Sequence, residues 1–596
     1  MRQGAKGMGF TSSPVLAVRL PAWRSKLVSF GLTVMFVALL GRALWLQGVS
    51  HDFLQQQGAS RYQRVLEMPA MRGKITDRNG VVVASSVQVK AIWAIPEDVD
   101  TKSPKIARLA KLLDMPEKEL RRKLDQDDRK FVYLKRQVDM ATAERIAALE
   151  LQGIHQRREF RRYYPEAETF SHVLGFTNVE EVGQEGVELA LERVLAGQPG
   201  SRRVIKDRLG RVIEESALLR APVDGRDVAL SIDAKIQSAT YSALKAAVDQ
   251  HHAKAGAAIV VDARTGEVLA LANLPSYNPN QRTKLAGAQL RNRVITDLFE
   301  PGSTMKPFTA ALAIETGRVT PNTVIQTAPG RLTIGTATIS DAHPHGALTV
   351  AEVVQKSSNV GTTKMAMQMP AQQMWEMFTS VGFGQAPTFG GTITSPTEAP
   401  QLARLAFPGA ASGRVRPYTS WRPIEQATMS YGYGISVSLA QLARAYTAFA
   451  RDGDIAPLTL LKADAPAQGT RVMSSATAKV LRDMLEMATG PGGTAPKAQI
   501  IGYRVAGKTG TARKQENGGY ADGKYIGSFA GFAPASDPRI VIAVMIDEPQ
   551  GKYYGGDVAA PAFASIASAA LRLLNVPPDA PFKTSITPAE GVQESL

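Results

Sequence analysis

The chain has 596 residues, of which 44% are hydrophobic and 21% are charged. This composition is that of a globular protein with more than one domain, and it argues against a disordered or fibrous protein. The chain contains no cysteine, which excludes a disulfide scaffold, a thiol nucleophile and a cysteine-ligated metal or iron–sulfur site. None of the seven histidines stands in an H-E-x-x-H pair, so a helical zinc-protease site is excluded too.

The formal net charge of +16 is partly concentrated at the N-terminus, where residues 1–26 carry five Lys or Arg and no acid. An apolar run follows over 27–47, and at ~1.5 Å per residue it spans about 30 Å, the thickness of a bilayer core. The cationic flank predicts a cytoplasmic tail over 1–26, one membrane anchor over 27–47 and an exported remainder. A cleaved signal peptide is disfavoured because G-R-A-L-W-L-Q-G-V-S has no clean cleavage site, and a buried core helix does not explain the one-sided flank.

Beyond the anchor, Lys and Arg are mixed with acids, as in R-R-K-L-D-Q-D-D-R-K at 121–130. Mixed runs of this kind are usually solvated surfaces, so no nucleic-acid partner is predicted. The sequence therefore predicts an exported protein that stays tethered to a membrane.

Strand and helix signals alternate over 48–222. The Asn79-Gly80 dipeptide predicts a tight turn among short β-like runs. Residues 102–151 have a helical pattern, and Asp114-Met-Pro-Glu117 is predicted to cap one of the helices. Residues 152–220 return to strands and turns. This region shows no catalytic constellation.

A second unit is predicted over 223–575, with strands at both of its ends and helices between them. The predicted strands lie at 228–232, within 256–272, and near 499–507, 526–533 and 540–547. The predicted helices lie at 233–248, 303–316, within 348–380, and at 438–452, 475–489 and 558–574. Strands at both ends predict one sheet closed by both chain ends, which is an α+β fold. The tail over 576–596 is predicted to be disordered.

The first chemical motif, Glu300-Pro-Gly-Ser303-Thr-Met-Lys306-Pro307, is predicted to open a helix. Pro307 is tolerated there because the first N–H groups of a helix have no intrahelical partner. Ser303 and Lys306 would share one face, so the amine could activate the hydroxyl as a nucleophile. The helix N-terminus would favour the oxyanion formed on attack. S-x-x-K alone arises by chance in long chains and does not assign a function.

The second motif is Ser357-Ser358-Asn359. A capping box at Thr349-Val-Ala-Glu352 predicts a helix that ends near Gln355, and another helix is predicted over 360–369. The motif would lie on the turn between them and could present a hydroxyl and a carboxamide together. The alternative is that Ser and Asn merely cap a helix.

The third motif, Lys508-Thr509-Gly510-Thr511, follows the strand-like I-I-G-Y-R-V-A. Residues 502–509 also fit the phosphate-binding P-loop pattern, and the apolar run ending at 547–548 resembles a magnesium-binding strand. A P-loop needs a helix directly after its lysine, and Gly510 and the turn at 517–523 leave little room for one. A P-loop ATPase is therefore the remote alternative.

In this order, S-x-x-K, S-x-N and K-T-G resemble the motifs of the penicillin-recognising serine acyltransferases. The wider sequence resembles the class B penicillin-binding proteins, and most of all their division-specific (septal) peptidoglycan D,D-transpeptidases. The resemblance covers nearly the whole chain from the anchor to about residue 575. It is carried by R-G-K-I-T-D-R-N-G (72–80), R-R-Y-Y-P (161–165), G-Q-E-G-V-E (183–188), R-N-R-V-I-T-D-L-F-E-P-G-S-T-M-K-P (291–307), Q-K-S-S-N-V-G (355–361), G-K-T-G-T-A-R-K (507–514) and K-Y-Y-G-G (552–556).

The resemblance implies an antiparallel sheet flanked by helices, a helical subdomain and an N-terminal pedestal or dimerisation-like domain over 48–222. It implies four catalytic residues: the nucleophile Ser303, its base Lys306, the proton relay Ser357 and Lys508, which holds the electrostatic setting of the relay. Neighbouring lysines would each make protonation of the other more costly and so supply a neutral base. The implied substrate contacts are Asn359, Thr509, Gly510 and Thr511, and the N–H groups of Ser303 and Thr511 would form an oxyanion hole. No metal or cofactor is implied.

The implied reaction cleaves a D-Ala–D-Ala bond and transfers the acyl group to an amine of a neighbouring peptide. The implied partners are peptidoglycan stem peptides, β-lactams, a membrane-embedded glycan polymerase of the SEDS family and other division proteins. The implied location is the inner membrane, with the catalytic domain in the periplasm. Two alternatives stay open: an elongation-specific transpeptidase with the same chemistry, and a β-lactam sensor or scaffold that is acylated without turnover.

Overall fold

The computed structural model describes residues 21–49, 63–125, 131–206, 212–283, 285–390, 406–463, 465–516 and 518–581. These residues divide into two compact units. The first contains residues up to Ala70 together with Gln198–Val223, and the second contains Met71–Gly197 and everything from Asp224 onward. The cytoplasmic tail predicted over 1–26 lies outside the described residues as far as residue 20, as does the predicted disordered tail from residue 582.

The first unit contains the apolar N-terminal helix and a small sheet. The helix Ala22–Leu44 continues as a π-helical turn over Trp45–Val49. Among the described residues this is the one helix long and apolar enough to cross a membrane, with 27 residues over Ala22–Gly48 and a mean hydropathy of 2.0. None of the residues Ala22–Leu44 is buried. The sheet is antiparallel, in the order Gln63–Met68, Gly200–Lys206, Val212–Arg220.

The second unit begins with a sheet covered by helices on one face. Its strands are Ile75–Thr76, Val82–Ala94, Val132–Val138, Ile154–Tyr163 and Val228–Ala229. Its helices are Lys105–Leu112, Glu117–Leu124 and Met140–Ala147. Ile92 and Leu134 from the sheet pack with Leu109 from the helices in one buried apolar core. The turn predicted at Asn79-Gly80 is confirmed between the first two strands.

Two predictions for this region are wrong. The helical pattern over 102–151 is interrupted by the strand Val132–Val138, whose buried Val132 and Leu134 alternate with half-buried residues over too short a run to stand out in sequence. Asp114 does not cap the next helix. It adopts a left-handed conformation with φ +50°, and Pro116 occupies the N-cap position without a side-chain hydrogen bond.

Short helices follow over Ala167–Phe170, Ser171–Leu174, Gly186–Ala190 and Glu192–Leu195. They place a buried carboxylate against two arginines of the preceding sheet region. Glu188 accepts hydrogen bonds at 2.7 Å from both Arg72 Nε and Arg162 Nε, and all three side chains are buried. This ion-pair cluster connects distant parts of the chain within the second unit.

The main sheet of the second unit has five antiparallel strands, in the order Val268–Leu274, Ala255–Asp262, Ile540–Asp547, Gly519–Ala533, Ala506–Glu516. The prediction of one sheet built from both ends of this unit is confirmed, and so is the α+β class. Its central strands are buried along their whole length because both faces are covered. Ala258 and Val260 pack with helices Ala234–Gln250 and Ala560–Leu573, whereas Ile259 and Val261 face the core that contains helix Leu439–Ala450.

The described part of this unit also contains the helices Pro96–Asp98, Gly287–Leu290, Arg293–Thr296, Gly302–Met305 (a 3-10 turn), Lys306–Glu315, Val350–Lys356, Asn359–Ala366, Ala371–Ser380, Tyr418–Ser420, Pro423–Ser430, Ser475–Thr489, Pro496–Ala498 and Gly555–Val558. Short two-stranded sheets pair Val324–Gln326 with Ala347–Thr349, Arg331–Ile334 with Ala337–Ser340, and Asp454–Ile455 with Thr470–Arg471. These elements form the helical part of the unit.

Three boundaries in this unit differ from the predictions. The strand predicted near 499–507 begins at Ala506, because Ile500 and Tyr503 pair across a turn and Gly502 has φ +82°. The strand predicted over 228–232 has two residues, Val228–Ala229. The closing helix is divided at Ala559, which separates Gly555–Val558 from Ala560–Leu573.

Candidate active site

Ser303 lies on a 3-10 turn, Gly302–Met305, which leads directly into helix Lys306–Glu315. Pro307 occupies the first helical turn, so the predicted start of the helix is confirmed. Ser303 is 3% exposed and Lys306 is fully buried. The first motif thus places a nearly buried serine three residues before a buried lysine at a helix start.

The second motif lies on the predicted turn between two helices. Thr349 and Glu352 form the predicted capping box of helix Val350–Lys356. Ser357 then adopts the left-handed conformation with φ +62°, and Ser358 caps the next helix by accepting a hydrogen bond from the Gly361 N–H at 2.9 Å. The two serines therefore differ in role: Ser358 caps the second helix, and Ser357 lies outside both helices.

Lys306 connects the first two motifs. Its Nζ donates to the backbone oxygen of Ser357 at 2.5 Å and to the Ser357 Oγ at 2.9 Å. Ser357 is fully buried as well. The structure therefore brings together the amine of the first motif and the first hydroxyl of the second, which are 51 residues apart in the chain.

Asp341 holds the second motif in place, although nothing in the sequence singled it out. Its carboxylate accepts hydrogen bonds from Ser358 Oγ at 2.7 Å and from the Val360 N–H at 3.0 Å. The neighbouring Ser340 carbonyl accepts from the Asn359 amide at 3.1 Å. The Asn359 Oδ1 is buried and has no hydrogen-bond partner among the described residues. The carboxamide is thus fixed at one end and has an unsatisfied acceptor at the other.

The third motif lies within a strand, not after one. Lys508, Thr509 and Gly510 belong to Ala506–Glu516 and pair with Ala530, Phe529 and Ser528 of the neighbouring strand. A P-loop requires a helix after its lysine, and here the chain continues as a strand to Glu516. The ATPase alternative is therefore wrong.

Glycine allows the first and third motifs to pack closely. An added Cβ on Gly302 would lie 3.1 Å from the Thr511 backbone oxygen, and one on Gly510 would lie 2.7 Å from the Pro301 oxygen. Gly302 also has φ +55°, a conformation that favours glycine. The Ser303 turn and the K-T-G strand therefore meet through backbone contacts, as the convergence of the motifs requires.

Thr494, which the sequence did not indicate, joins the hydrogen bonds of the third motif. It is buried on the loop that follows helix Ser475–Thr489. Lys508 Nζ donates to Thr494 Oγ1 at 3.4 Å and to Thr509 Oγ1 at 3.2 Å, and the two threonine hydroxyls lie 2.9 Å apart. The Gly-rich stretch 490–493 before Thr494 is the only local signal for a loop that approaches another segment.

Thr511 at the other end of the motif accepts a hydrogen bond from the Gly555 N–H at 3.0 Å. Gly555 packs so closely on the sheet that an added Cβ would lie 2.2 Å from the Ser528 oxygen. The K-Y-Y-G-G segment of the sequence therefore fixes the K-T-G strand from its other side.

Glu300 lies just before the first motif and is 6% exposed. It accepts hydrogen bonds from the Gly434 N–H at 2.7 Å, Gln515 Nε2 at 2.9 Å and Tyr520 OH at 3.0 Å. Burial raises the pKa of Glu300, and the hydrogen bonds from Gly434 and Tyr520 oppose that increase. The desolvation of Tyr520, reinforced by the negative charge of Glu300, raises the pKa of its phenol to about 12. This buried carboxyl fastens the end of the K-T-G hairpin to the turn that carries Ser303.

Two family models match the chain. The penicillin-binding protein transpeptidase domain matches residues 256–568, and the penicillin-binding protein dimerisation domain matches residues 67–230. A probable peptidoglycan D,D-transpeptidase PenA of Neisseria gonorrhoeae is 42% identical over 563 residues, which cover 94% of both chains. The peptidoglycan D,D-transpeptidase FtsI of Escherichia coli is 42% identical over 566 residues, which cover 94% of this chain and 93% of that protein.

Solved structures agree with these matches. The TP domain of Burkholderia pseudomallei penicillin-binding protein 3 is 52% identical with a TM-score of 0.52, covering 59% of this chain and 98% of that one. A peptidoglycan synthetase from Bifidobacterium adolescentis is 25% identical with a TM-score of 0.67, covering 88% of this chain and 99% of that one. Since the motifs meet in one site and relatives match nearly the whole length, the chain belongs to the penicillin-binding protein transpeptidase family.

Proposed function

We propose that this protein is a peptidoglycan D,D-transpeptidase that cross-links stem peptides through an ester on Ser303. The observation that carries the proposal is the pair of hydrogen bonds from Lys306 to Ser357, which joins the first two motifs in a buried site. The close packing of Gly302 on the Thr511 backbone adds the third motif to the same site. The transpeptidase names of PenA and FtsI support this reaction.

In the proposed acylation, Lys306 takes the proton of Ser303, whose Oγ attacks the carbonyl between the two D-alanines. Burial disfavours a charged ammonium, which suits an amine that must accept a proton. The N–H groups of Ser303 and Thr511 stabilise the oxyanion. Ser357, already bonded to Lys306, passes a proton to the nitrogen of the departing D-alanine.

Substrate recognition uses the groups around this centre. The terminal carboxylate of the donor peptide accepts hydrogen bonds from Thr509 and Thr511, beside Gly510, in a pocket made cationic by Lys508. Asn359 bonds the peptide amide, and its buried, unsatisfied Oδ1 is the acceptor available for a substrate N–H. A buried acceptor without a partner costs free energy, and binding of the amide would recover it.

The ester then transfers its acyl group to an amine of a neighbouring peptide. The energy of the cleaved D-Ala–D-Ala bond is kept in the serine ester, so the cross-link forms without ATP outside the membrane. Attack by water would give only a trimmed peptide. A β-lactam would imitate the donor and leave a stalled acyl-serine.

The cellular setting follows from the anchor and the family. The apolar helix Ala22–Leu44 and the cationic residues before it support a single-pass inner-membrane protein with a cytoplasmic N-terminus and a periplasmic catalytic domain. We assign residues 48–222 to the pedestal and 223–575 to the transpeptidase domain. The septal role is supported by the match to FtsI. The proposed partners, a SEDS glycan polymerase and other division proteins, are those that the family resemblance implies.

Incubation of the purified full-length protein with labelled donor and acceptor peptides tests the chemistry. We expect a cross-linked product from the wild type and none from Ser303→Ala. Labelling of Ser303→Ala by a fluorescent penicillin would overturn the nucleophile assignment. Acylation of the wild type without any cross-linked product would instead indicate a β-lactam sensor or scaffold.

Depletion of the protein in cells distinguishes the two transpeptidase roles. Filamentous cells are expected if the enzyme acts at the division septum. Round cells would contradict the septal role and assign the enzyme to elongation, with the chemistry unchanged.

A further inference from the structure

One face of the sheet in the first part of the second unit carries four aromatic rings, Trp93, Phe131, Tyr133 and His155, here called the aromatic face. Trp93 lies opposite Tyr133 on one neighbouring strand and opposite His155 on the other, so the three share a face. The ring of His155 stacks on Trp93 with centroids 4.4 Å apart. Phe131 continues the series, 4.8 Å from Trp93 and 4.7 Å from Tyr133.

The aromatic face is not the side that forms the core of this sheet. Ile92 and Leu134, which alternate with these rings along their strands, pack against the helices on the opposite face. None of the four rings belongs to a buried apolar core in the described part of the chain. Phe131 is 44% exposed, and the other three rings are partly exposed. A contiguous exposed patch of this kind usually marks a binding surface.

The strand Ile154–Tyr163 adds positive charge beside these rings. Arg157 and Arg161 are exposed, and Glu159 between them pairs with Arg136, which lies over the Tyr133 ring. Arg157 is two residues from His155 and therefore points to the same face. Among the described strands this strand pairs only with Val82–Ala94, so these cations lie at an edge of the sheet. The surface is thus aromatic at one end and carries exposed arginines at the other.

We propose that the aromatic face and Arg157 bind the glycan strands of peptidoglycan, which rests on the proposed function because that polymer carries the substrate peptides. The C–H groups on the face of a sugar ring suit the negative face of an aromatic ring. The carboxylates of the attached peptides suit Arg157 and its neighbours. A partly exposed aromatic surface with exposed arginines at its side fits an extended polymer that has sugar rings and anionic branches.

Such a site would act through local concentration. The aromatic face and the candidate active site belong to the same compact unit. A polymer held on the first presents its peptides to the second at a raised effective concentration, without any new contact at the reacting atoms.

Sedimentation of the full-length protein with insoluble peptidoglycan sacculi tests this site. The protein is first acylated with benzylpenicillin, so that binding through the active site does not contribute. We expect Arg157→Glu and Trp93→Ala each to weaken sedimentation by about three- to tenfold. The matched control is Arg122→Glu, which makes the same charge change at an exposed position of helix Glu117–Leu124 and should bind as the wild type does.

Wild-type sedimentation by both Arg157→Glu and Trp93→Ala would overturn the proposal, as would an equal loss in Arg122→Glu. Glycan strands stripped of their peptides by an amidase should still compete for binding, and competition by free stem peptides alone would also overturn it. If the two variants bind sacculi normally but lose a protein bound to the wild type, the face is a protein-docking surface instead. Normal labelling by fluorescent penicillin shows that each variant is folded, and failure of that labelling in the wild type would concern the proposed reaction and not this site.

Discussion

Two of the regions of the second unit that contain buried cations differ in their surroundings. Arg72 and Arg162 both bond the buried carboxylate of Glu188. In the candidate active site, the hydrogen bonds of Lys306 go to the hydroxyl and carbonyl of Ser357, and those of Lys508 go to threonine oxygens. The first region neutralises its charge with an acid, whereas these hydrogen bonds of the two lysines go to neutral oxygens.

This difference distinguishes arginines that stabilise the fold from the lysines that we propose take part in the reaction. Burial works to lower the pKa of Arg72, but the charges of Glu188 and Glu192 outweigh it and raise that pKa, so the group stays ionised. The amine of a buried lysine, unlike the guanidinium of an arginine, can lose its proton near neutral pH. The comparison therefore predicts that changes in the two regions affect different measurements.

The largest effect is expected from Lys306→Arg. This change keeps the positive charge but replaces a proton-accepting amine with a guanidinium that does not deprotonate. Acylation by a fluorescent penicillin should slow by about a hundredfold to ten-thousandfold, while the melting temperature changes little. A variant that is acylated at the wild-type rate would show that Lys306 acts only through its charge.

Glu188→Gln should have the opposite effects, lowering stability while leaving the acylation rate unchanged. This change removes the ion pair of Arg162 and leaves Arg72 with Glu192 as its remaining partner, and breaking a buried ion pair typically costs about 3–5 kcal/mol. The free energy of unfolding, measured by denaturant titration, should fall by that amount, and the acylation rate per folded molecule should stay the same. Loss of acylation in fully folded Glu188→Gln would contradict the separation of the two regions.

Thr494→Val tests whether the hydrogen bonds around Lys508 contribute to acylation. It removes the hydroxyl that joins Lys508 to Thr509 and leaves a buried hydrogen-bonding position unfilled. We expect roughly a tenfold loss in the second-order rate of acylation by penicillin. Thr494→Ser, which keeps the hydroxyl, serves as the control and should retain most of the rate.

The smallest effect concerns the pH dependence of stability. Burial raises the pKa of Glu300 above its ordinary value of 4.5. A carboxyl with a raised folded pKa contributes stability that is present below the unfolded pKa and is lost as pH rises through the folded pKa. Thermal melts from acid to neutral pH should therefore show the wild type losing stability relative to Glu300→Gln as pH rises from about 4.5. Parallel curves would contradict this role of burial.

The sequence predicted those features that depend on neighbouring residues. The capping box at Thr349 and the helix start at Pro307 are local, since each concerns backbone groups within one turn. The sheet built from both ends of the unit was predictable because apolar runs stand at both ends. The order of the motifs identified the family before any geometry was known.

Other parts of the site could not be predicted, because they depend on contacts between distant residues. Thr494 meets Lys508 across 14 residues, and Asp341 meets Ser358 across 17. Threonine and aspartate at such positions have no pattern that separates them from ordinary loop residues. The strand Val132–Val138 was missed for a related reason. Its alternation of buried and half-buried residues is too short to predict a strand, and its stability comes from pairing with Val82–Ala94.

The glycine contacts around the K-T-G strand also limit how the protein can evolve under antibiotic pressure. A methyl group on Gly510 would come within 2.5 Å of Ser528 Oγ, and one on Gly555 within 2.5 Å of the Gly510 oxygen. Any replacement at these positions must displace the strand that we propose recognises both the natural peptide and the drug. Selection for reduced drug affinity should therefore leave these glycines unchanged and act on side chains farther along the cleft.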